Sequence, residues 1–241
     1  MWKNCLLMTS SINVDKRMPY HLHINNNERI KQYLDAILFY VTKSEFSDII
    51  FCDWSWYPIN KFRYLVGLAR IYWKRFEILW FKNDQDEVVK RGKGYGEGKI
   101  IEYALHHSLL LKENNCFFKV TGRYIVKNIN RIIRNESDKE NIFFRISACD
   151  KETCNTAFFK VNKEFFNRYL YWAWDKVNDT NGVYFEHIYM KILKKHKKEI
   201  SSFKELPVFS WVSGTNWKWL EPSWISILIG NFFNLLWFHR I

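Results

Sequence analysis

The segment KRGKGYGEGKIIEYALHHS (residues 90–108) sets four glycines two residues apart directly before a helical pattern, out of nine in the chain. Glycines so dense cost backbone entropy, so something must need the bare backbone there. The segment lies between two short apolar runs, RFEILWFKND (75–84) and NCFFKVTGRY (115–124), each ending in polar residues. Both runs have the length and residue types of buried strands. Strand, helix, strand in that order is the unit of a parallel sheet with helices on its faces.

The same unit repeats toward the amino terminus. CLLMTSSI (5–12) and FSDIIFCDWS (46–55) read as two further buried strands. Between them NNNERIKQYLDAILFYVTKS (25–44) carries Ile30, Tyr33, Leu34, Ile37 and Leu38 at helical spacing, behind an Asn cluster able to cap. INKFRYLVGLARIYWKR (59–75) is helical, with Gly67 a mild cost. The helix behind the glycines is predicted from about Gly98 to Leu111. The expectation is an α/β chain with a mostly parallel central sheet.

Beyond residue 130 the pattern changes. NIFFRISACD (141–150) and TAFFKVNKEFF (156–166) read as strands or a hairpin. NRYLYWAWDKVNDTNG (167–182) reads as a helix ended by Asn181 and Gly182, and VYFEHIYMKILKKHKK (183–198) as a second helix with a basic tail. ELPVFSWVSGTNWKW (205–219) suggests a late strand and a glycine turn. There is no internal repeat and no linker that would force two domains. One domain over 1–220 is expected, with 1–130 and 131–220 as its two halves, followed by an apolar helix over 221–241.

Composition narrows the partners. The 241 residues carry net charge +12 and an aromatic share of 19%. That charge suits an anion: nucleic acid, a phosphate-bearing ligand or an anionic membrane surface. Most of the rings are expected in the core, the rest as stacking surfaces. Five cysteines without a CxxC pair fit free thiols in a reducing cytoplasm. MWKNCLLMTS lacks the long apolar region of a signal peptide.

In parallel sheets ligands collect at the carboxyl ends of the strands. Here those ends offer Thr9, Ser10 and Asn13, then Asp53 and Ser55, then Asn83 and Asp84, then Thr121, Gly122 and Arg123. Asp53 is expected to meet a ligand's base or ribose. The glycine segment matches neither a P-loop nor GxGxxG. Its Gly92, Gly94, Gly96 and Gly98 would still let a ligand approach, with a helix start behind them. Lys93 adds charge and Glu97 could accept from hydroxyls. The plain alternative is a surface loop before a capped helix. In FFKVTGRY, strand alternation turns Lys119 and Thr121 one way and Val120 the other. Arg123 at the strand mouth suits a diphosphate or carboxylate, or else a surface salt bridge.

GKGYGE at Gly92–Glu97, followed by a helix and then KVTGRY at Lys119–Tyr124, resembles a group of bacterial glycosyltransferases of surface polysaccharide synthesis (capsule, O-antigen or lipooligosaccharide). NTAFFKVNKEFF and GVYFEHIYMKIL resemble that group's later blocks, so the likeness covers roughly residues 5–215. It implies a GT-A-type, Rossmann-like α/β/α sandwich. The implied partners are a nucleotide-sugar donor, bound in part by Tyr95 of the motif, and a glycan or lipid-linked acceptor. Many GT-A enzymes hold a divalent metal on an Asp-x-Asp at the fourth strand, but this chain has Thr121-Gly122-Arg123 there. No cofactor and no metal are therefore expected, a divalent cation being the alternative, with Lys119, Arg123 and Lys93 neutralising the leaving diphosphate.

An inverting transfer needs a base near the acceptor hydroxyl. Glu186 stands in an apolar, aromatic stretch at a helix start, where burial would raise its pKa. Its plain alternative is to stabilise the helix N-terminus. The resemblance favours Glu186 as base, with Asp150, Asp53 and His187 as competitors. Ser213, Gly214 and Asn216 could close a loop over phosphates, with Lys218 adding charge and Trp211, Trp217 and Trp219 offering faces to a sugar. WISILIGNFFNLLWFHR (224–240) is too short to span a bilayer. With KILKKHKK upstream it fits lying on an anionic membrane surface, the alternative being a helix packed on the core or a dimer contact. The competing readings are a nucleic-acid binder and a non-catalytic protein at the membrane. Basic residues spread along the chain and the lack of a nucleic-acid motif argue against nucleic acid.

Overall fold

The computed structural model describes residues 4–18, 25–55, 57–144 and 151–210. Asp150, the loop with Ser213, Gly214 and Asn216, and the helix expected over 221–241 lie outside these residues. The elements run β1 (Cys5–Ser10), α1 (Asn26–Lys43), β2 (Asp48–Asp53), α2 (Tyr64–Ile71), β3 (Arg75–Trp80), α3 (Gln85–Arg91), α4 (Lys93–His107), α5 (Leu109–Glu113) and β4 (Cys116–Thr121). Then come β5 (Ile125–Val126), α6 (Ile129–Asn135), β6 (Ile142–Phe143), β7 (Phe158–Asn162), α7 (Lys163–Phe165), α8 (Phe185–Lys195), β8 (Ser201–Ser202) and β9 (Phe209–Ser210).

Seven strands form one sheet in the order β3-β2-β1-β4-β7-β6-β8. Only β7 runs against its neighbours β4 and β6. The first four strands have the order expected of half a Rossmann sheet, and the β4–β7 pair joins the two halves of the chain. A small ladder of β5 and β9 lies apart.

β1 and β2 are buried along their whole length, because helices cover both faces. On one face Leu7, Ile50, Cys52 and Phe117 meet Ile101 and Ala104 of α4 and Tyr189 and Met190 of α8. On the other, Leu6, Met8, Phe51 and Val120 meet Tyr33, Ile37 and Tyr40 of α1, Ala69 of α2 and Ile132 of α6. The chain is the expected α/β/α sandwich. The rings are largely core: Phe158 stacks on Phe118 at 5.8 Å and on Phe203 at 5.4 Å between centroids. The Asn cluster caps α1, Asn25 accepting from the Asn27 N–H at 3.0 Å. Cys5, Cys52 and Cys154 are buried free thiols, and Cys116 is half-buried.

Two predicted elements differ. Helix α4 begins at Lys93, so Gly94, Gly96 and Gly98 are inside a helix, not in front of one, and it ends at His107, Ser108 capping the separate α5 that holds Leu111. And 167–182 is not one α-helix. The chain leaves α7 through a π-turn (Phe166–Leu170), a 3-10 stretch (Tyr171–Lys176) and a short 3-10 turn (Asp179–Asn181) before the left-handed Gly182. Leu170, Ala173 and Val177 along it are buried.

Candidate active site

The glycines of α4 face protein. A Cβ on Gly98 would lie 2.1 Å from the Trp174 Cβ, and one on Gly94 3.0 Å from Val177 and 3.1 Å from Phe185. At Gly92, where φ is +101°, a Cβ would lie 2.3 Å from the Asp179 carboxylate. The bare helix face lets the segment from Trp174 to Phe185 cross close to it. The helix start is also occupied: Asp179 accepts from the Gly94 N–H at 3.0 Å and from the Lys93 N–H. Instead of a ligand wall, the glycine segment is a packing surface with an internal cap. Tyr95 belongs to that packing, buried under the Arg91 guanidinium at 4.2 Å and edge-on to Trp174 at 5.5 Å.

The strand ends do converge. Ser10 pairs with Asp53 and Asp53 with Trp80, while Thr9 pairs with Thr121. Asp53, however, is fully buried and saturated by protein donors. Its Oδ2 accepts from Ser10 Oγ (2.7 Å) and the Ile12 N–H (3.1 Å), and its Oδ1 from the Ser55 N–H (2.8 Å) and Ser55 Oγ (2.7 Å). Ser55 Oγ accepts in turn from the Asn13 N–H at 2.8 Å. Burial raises the Asp53 pKa against these hydrogen bonds. Four bonds fill a carboxylate's acceptor sites, so Asp53, with Ser10 and Ser55, shapes the β1 and β2 mouths and has no acceptor left for a ribose.

Glu97 is the hub of the next layer. Its Oε1 accepts from Thr9 Oγ1 (3.1 Å), Thr121 Oγ1 (3.3 Å) and the Lys119 ammonium. Its Oε2 has no hydrogen bond among the described residues, and the side chain keeps 22% of its exposure. Lys119 is fully buried and spends its three donors on Glu97, the Thr156 carbonyl (2.6 Å) and Thr121 Oγ1 (3.3 Å). Burial lowers its pKa, and Glu97 opposes that shift. Lys119 thus points as alternation predicted but sits behind Glu97, out of reach of a diphosphate. Gly122 lets β4 press on β1: its N–H donates to the Thr9 carbonyl at 2.7 Å, where a Cβ would stand 2.6 Å away.

Cations gather at the same mouth. Arg123 is half-buried, and its Nη1 is buried without a hydrogen-bond partner among the described residues. Arg29, on the buried side of α1, donates to the carbonyls of Ile12 (3.1 Å) and Ser11. Burial lowers its pKa, and among its neighbours Arg123 lowers it further. Lys93 stands at the solvent edge; lost hydration on its protein side, then Arg123, lower its pKa. Three cations within electrostatic range raise one another's cost of charge.

Carboxylates face them. Glu186, in the first turn of α8, is turned inward, its Oε1 accepting from Thr156 Oγ1 at 3.1 Å. Burial raises its pKa, and the nearby charges of Glu97 and Asp179 add to the rise. His187 is exposed against Tyr184, so of these two neighbours Glu186 is the one on the site side. Among the described residues no three His, Cys, Asp or Glu are grouped to hold a metal ion.

Sequence reading missed Arg29 and Asp179. Arg29 had a signal: with Tyr33, Ala36, Ile37 and Tyr40 it falls on the buried stripe of α1, where an Arg needs a reason. Asp179 had none, since its partner lies 85 residues away.

No protein-family model matches the chain, and no curated protein matches it in sequence. Among solved structures it is similar to a cytidylyltransferase from Leptospira borgpetersenii (9% identity, 84% of this chain and 76% of that one, TM-score 0.44). It is also similar to a mannosyltransferase from S. cerevisiae (12% identity, 84% and 69%, TM-score 0.45). With both scores below 0.5, neither neighbour identifies a substrate for this chain.

Proposed function

We propose that the chain is a GT-A-type glycosyltransferase that moves a sugar from a nucleotide-sugar donor to a glycan or lipid-linked acceptor, in the cytoplasm, during bacterial surface polysaccharide synthesis. The observation that carries this reading is the buried Arg123 Nη1, unpartnered among the described residues, beside Lys93 and Arg29, at the strand ends, across from inward carboxylates. A leaving nucleoside diphosphate develops negative charge as its bond to the sugar breaks, and preorganised cations stabilise that charge. Arg123 and Lys93 take this role, with Arg29 behind them; Lys119 instead holds Glu97. Glu97 Oε2 is free to accept from a hydroxyl of the donor sugar. Glu186 takes the acceptor's proton, its raised pKa bringing it toward the working range of a base, and the anomeric centre inverts. The motifs at Gly92–Glu97 and Lys119–Tyr124 support the same reading by resemblance.

Thermal shift with uridine, cytidine and guanosine diphosphates tests it. One of them should stabilise the chain, and Arg123→Gln should abolish the shift with little change in the melting temperature of the free protein. Stabilisation by long polynucleotides alone would reject the proposal in favour of a nucleic-acid binder. Because the diphosphate is met by side-chain cations, transfer should continue in excess chelator; complete loss restored by manganese or magnesium would reject the metal-free part.

A further inference from the structure

The stretch KFRYLVGLARIYWK, residues 61–74, contains Lys61, Arg63, Arg70 and Lys74 and no acid. Helix α2 buries Leu65 and Ala69 against the sheet. Its outer side and the turn after it leave Tyr64 57%, Ile71 73%, Tyr72 44% and Trp73 92% exposed. The helix ends with the Trp73 N–H donating to the Arg70 carbonyl and the Lys74 N–H to the Ala69 carbonyl, each at 3.0 Å. These paired bonds require a left-handed residue between them, a place that favours glycine.

Trp73 occupies that place, at φ +57°, the one non-glycine residue of positive φ among those described. A bulky side chain there is strained. Its indole makes no ring contact or hydrogen bond within the described residues, so the two backbone bonds hold the turn without help from the side chain. A strained, exposed tryptophan where glycine would serve points to a use outside the molecule.

We propose that this turn is a docking surface for an anionic lipid headgroup layer. Trp73 and Ile71 enter the boundary of headgroups and acyl chains, while Tyr64 and Tyr72 lie at headgroup level. Lys61, Arg63 and Arg70, all exposed, meet the lipid phosphates. Lys74 is not counted, because it closes the end of α1 through the carbonyls of Tyr40 (2.8 Å) and Ser44. Charge complementarity selects this occupant: a second copy would set like charge against like. The surface does not depend on the transferase reading. Arg75, two residues on, starts β3 and pairs with Asp48 at the start of β2, so Trp73 lies at the sheet edge opposite Glu97 and Arg123. A docked chain keeps its strand-end edge open to solvent.

The test is co-sedimentation of the full chain with vesicles of phosphatidylcholine alone and of phosphatidylcholine mixed with phosphatidylglycerol. Binding should require the anionic lipid and weaken with salt. Trp73→Gly should reduce partitioning about tenfold or more while raising the melting temperature, since glycine relieves the turn. Arg63→Gln with Arg70→Gln should reduce it about tenfold at unchanged melting temperature. Unchanged partitioning in these variants overturns the proposal. So does a lower melting temperature in Trp73→Gly, which would mean that the indole packs internally. A concentration-dependent dimer by analytical ultracentrifugation that Trp73→Gly dissolves would assign the surface to a second copy instead.

Discussion

Gly98→Ala and Gly67→Ala are the same substitution in two helices, and the structure gives them opposite signs. Alanine improves helix propensity by about 1 kcal/mol over glycine in a helix interior. At Gly67 a new Cβ meets nothing within 4 Å, so the gain is kept. At Gly98 it would lie 2.1 Å from the Trp174 Cβ and 3.3 Å from the Trp174 Cα. Carbon atoms rest at about 3.5–4.0 Å, so the two must separate by roughly 1.5 Å. Rotating the indole does not help, because the Cβ is fixed to the backbone, and the 3-10 stretch Tyr171–Lys176 must move as a whole. Overpacking of this kind costs about 3 kcal/mol, the upper part of its usual range, against a propensity gain of about 1. The net loss of about 2 kcal/mol lowers the melting temperature by about 4–8 °C in a chain of this size, while Gly67→Ala raises it by about 2–4 °C. Thermal melts and urea titrations of both variants decide it. Gly98→Ala at or above the wild-type stability would refute the packing role and return the glycines to a ligand-facing one.

Three further outcomes follow from the site. Glu186→Gln should be more stable than wild type once pH exceeds the raised value and lose that advantage below the ordinary carboxylate range. The raised pKa of Glu186 means that the native state binds the proton more tightly than the unfolded chain, so stability falls as pH rises through the raised value; parallel urea curves at all pH values would contradict this. Asp53→Asn keeps one acceptor oxygen and strands the donors on the other, costing about 2 kcal/mol or more by chemical denaturation, and a wild-type midpoint would show that the four hydrogen bonds do not matter. Lys119→Met should cost about 3 kcal/mol by leaving the Glu97 carboxylate beside Thr9 and Thr121 without its cation. Adding Glu97→Gln should recover much of that loss, whereas simple additivity would deny the coupling.

The alternation of strands and helices was legible because β1, β2 and β4 are covered on both faces and read as continuous apolar runs. Asn25 was legible because a cap is a local event, settled within two residues. The glycines were legible as an anomaly but not as a cause. What Gly98 avoids is Trp174, and what Gly92 and Gly94 approach is Asp179, contacts made across some 80 residues of chain. The winding of 167–182 was not legible either. Leu170, Ala173 and Val177 recur at i, i+3 and i+7, the spacing of one α-helical face, so the pattern reads as α-helix, whereas the π-turn and the 3-10 stretch there depart from that period.

Lys119 shows most clearly where a single sequence stops. Alternation placed Lys119 and Thr121 on one side of β4, and both do bond Glu97. Alternation says nothing of depth. Register does: Thr121 pairs with Thr9 at the strand ends, but Lys119 pairs with Leu7, one pleat further in, and Leu7 is core. That pleat separates a cation able to meet a ligand from one sealed beneath a carboxylate. Four residues beyond Lys119, Arg123 lies past the strand end, where its Nη1 has no partner among the described residues. Two cations that look equivalent in KVTGRY therefore have different work. In the proposed site Arg123 meets an anion from outside, and Lys119 fixes Glu97 so that one oxygen is held and the other has no hydrogen bond among the described residues. A charge-reversing change at either position would weaken a diphosphate's binding, so only a fold-stability measurement, which Lys119→Met should lower and Arg123→Gln should not, separates the two roles.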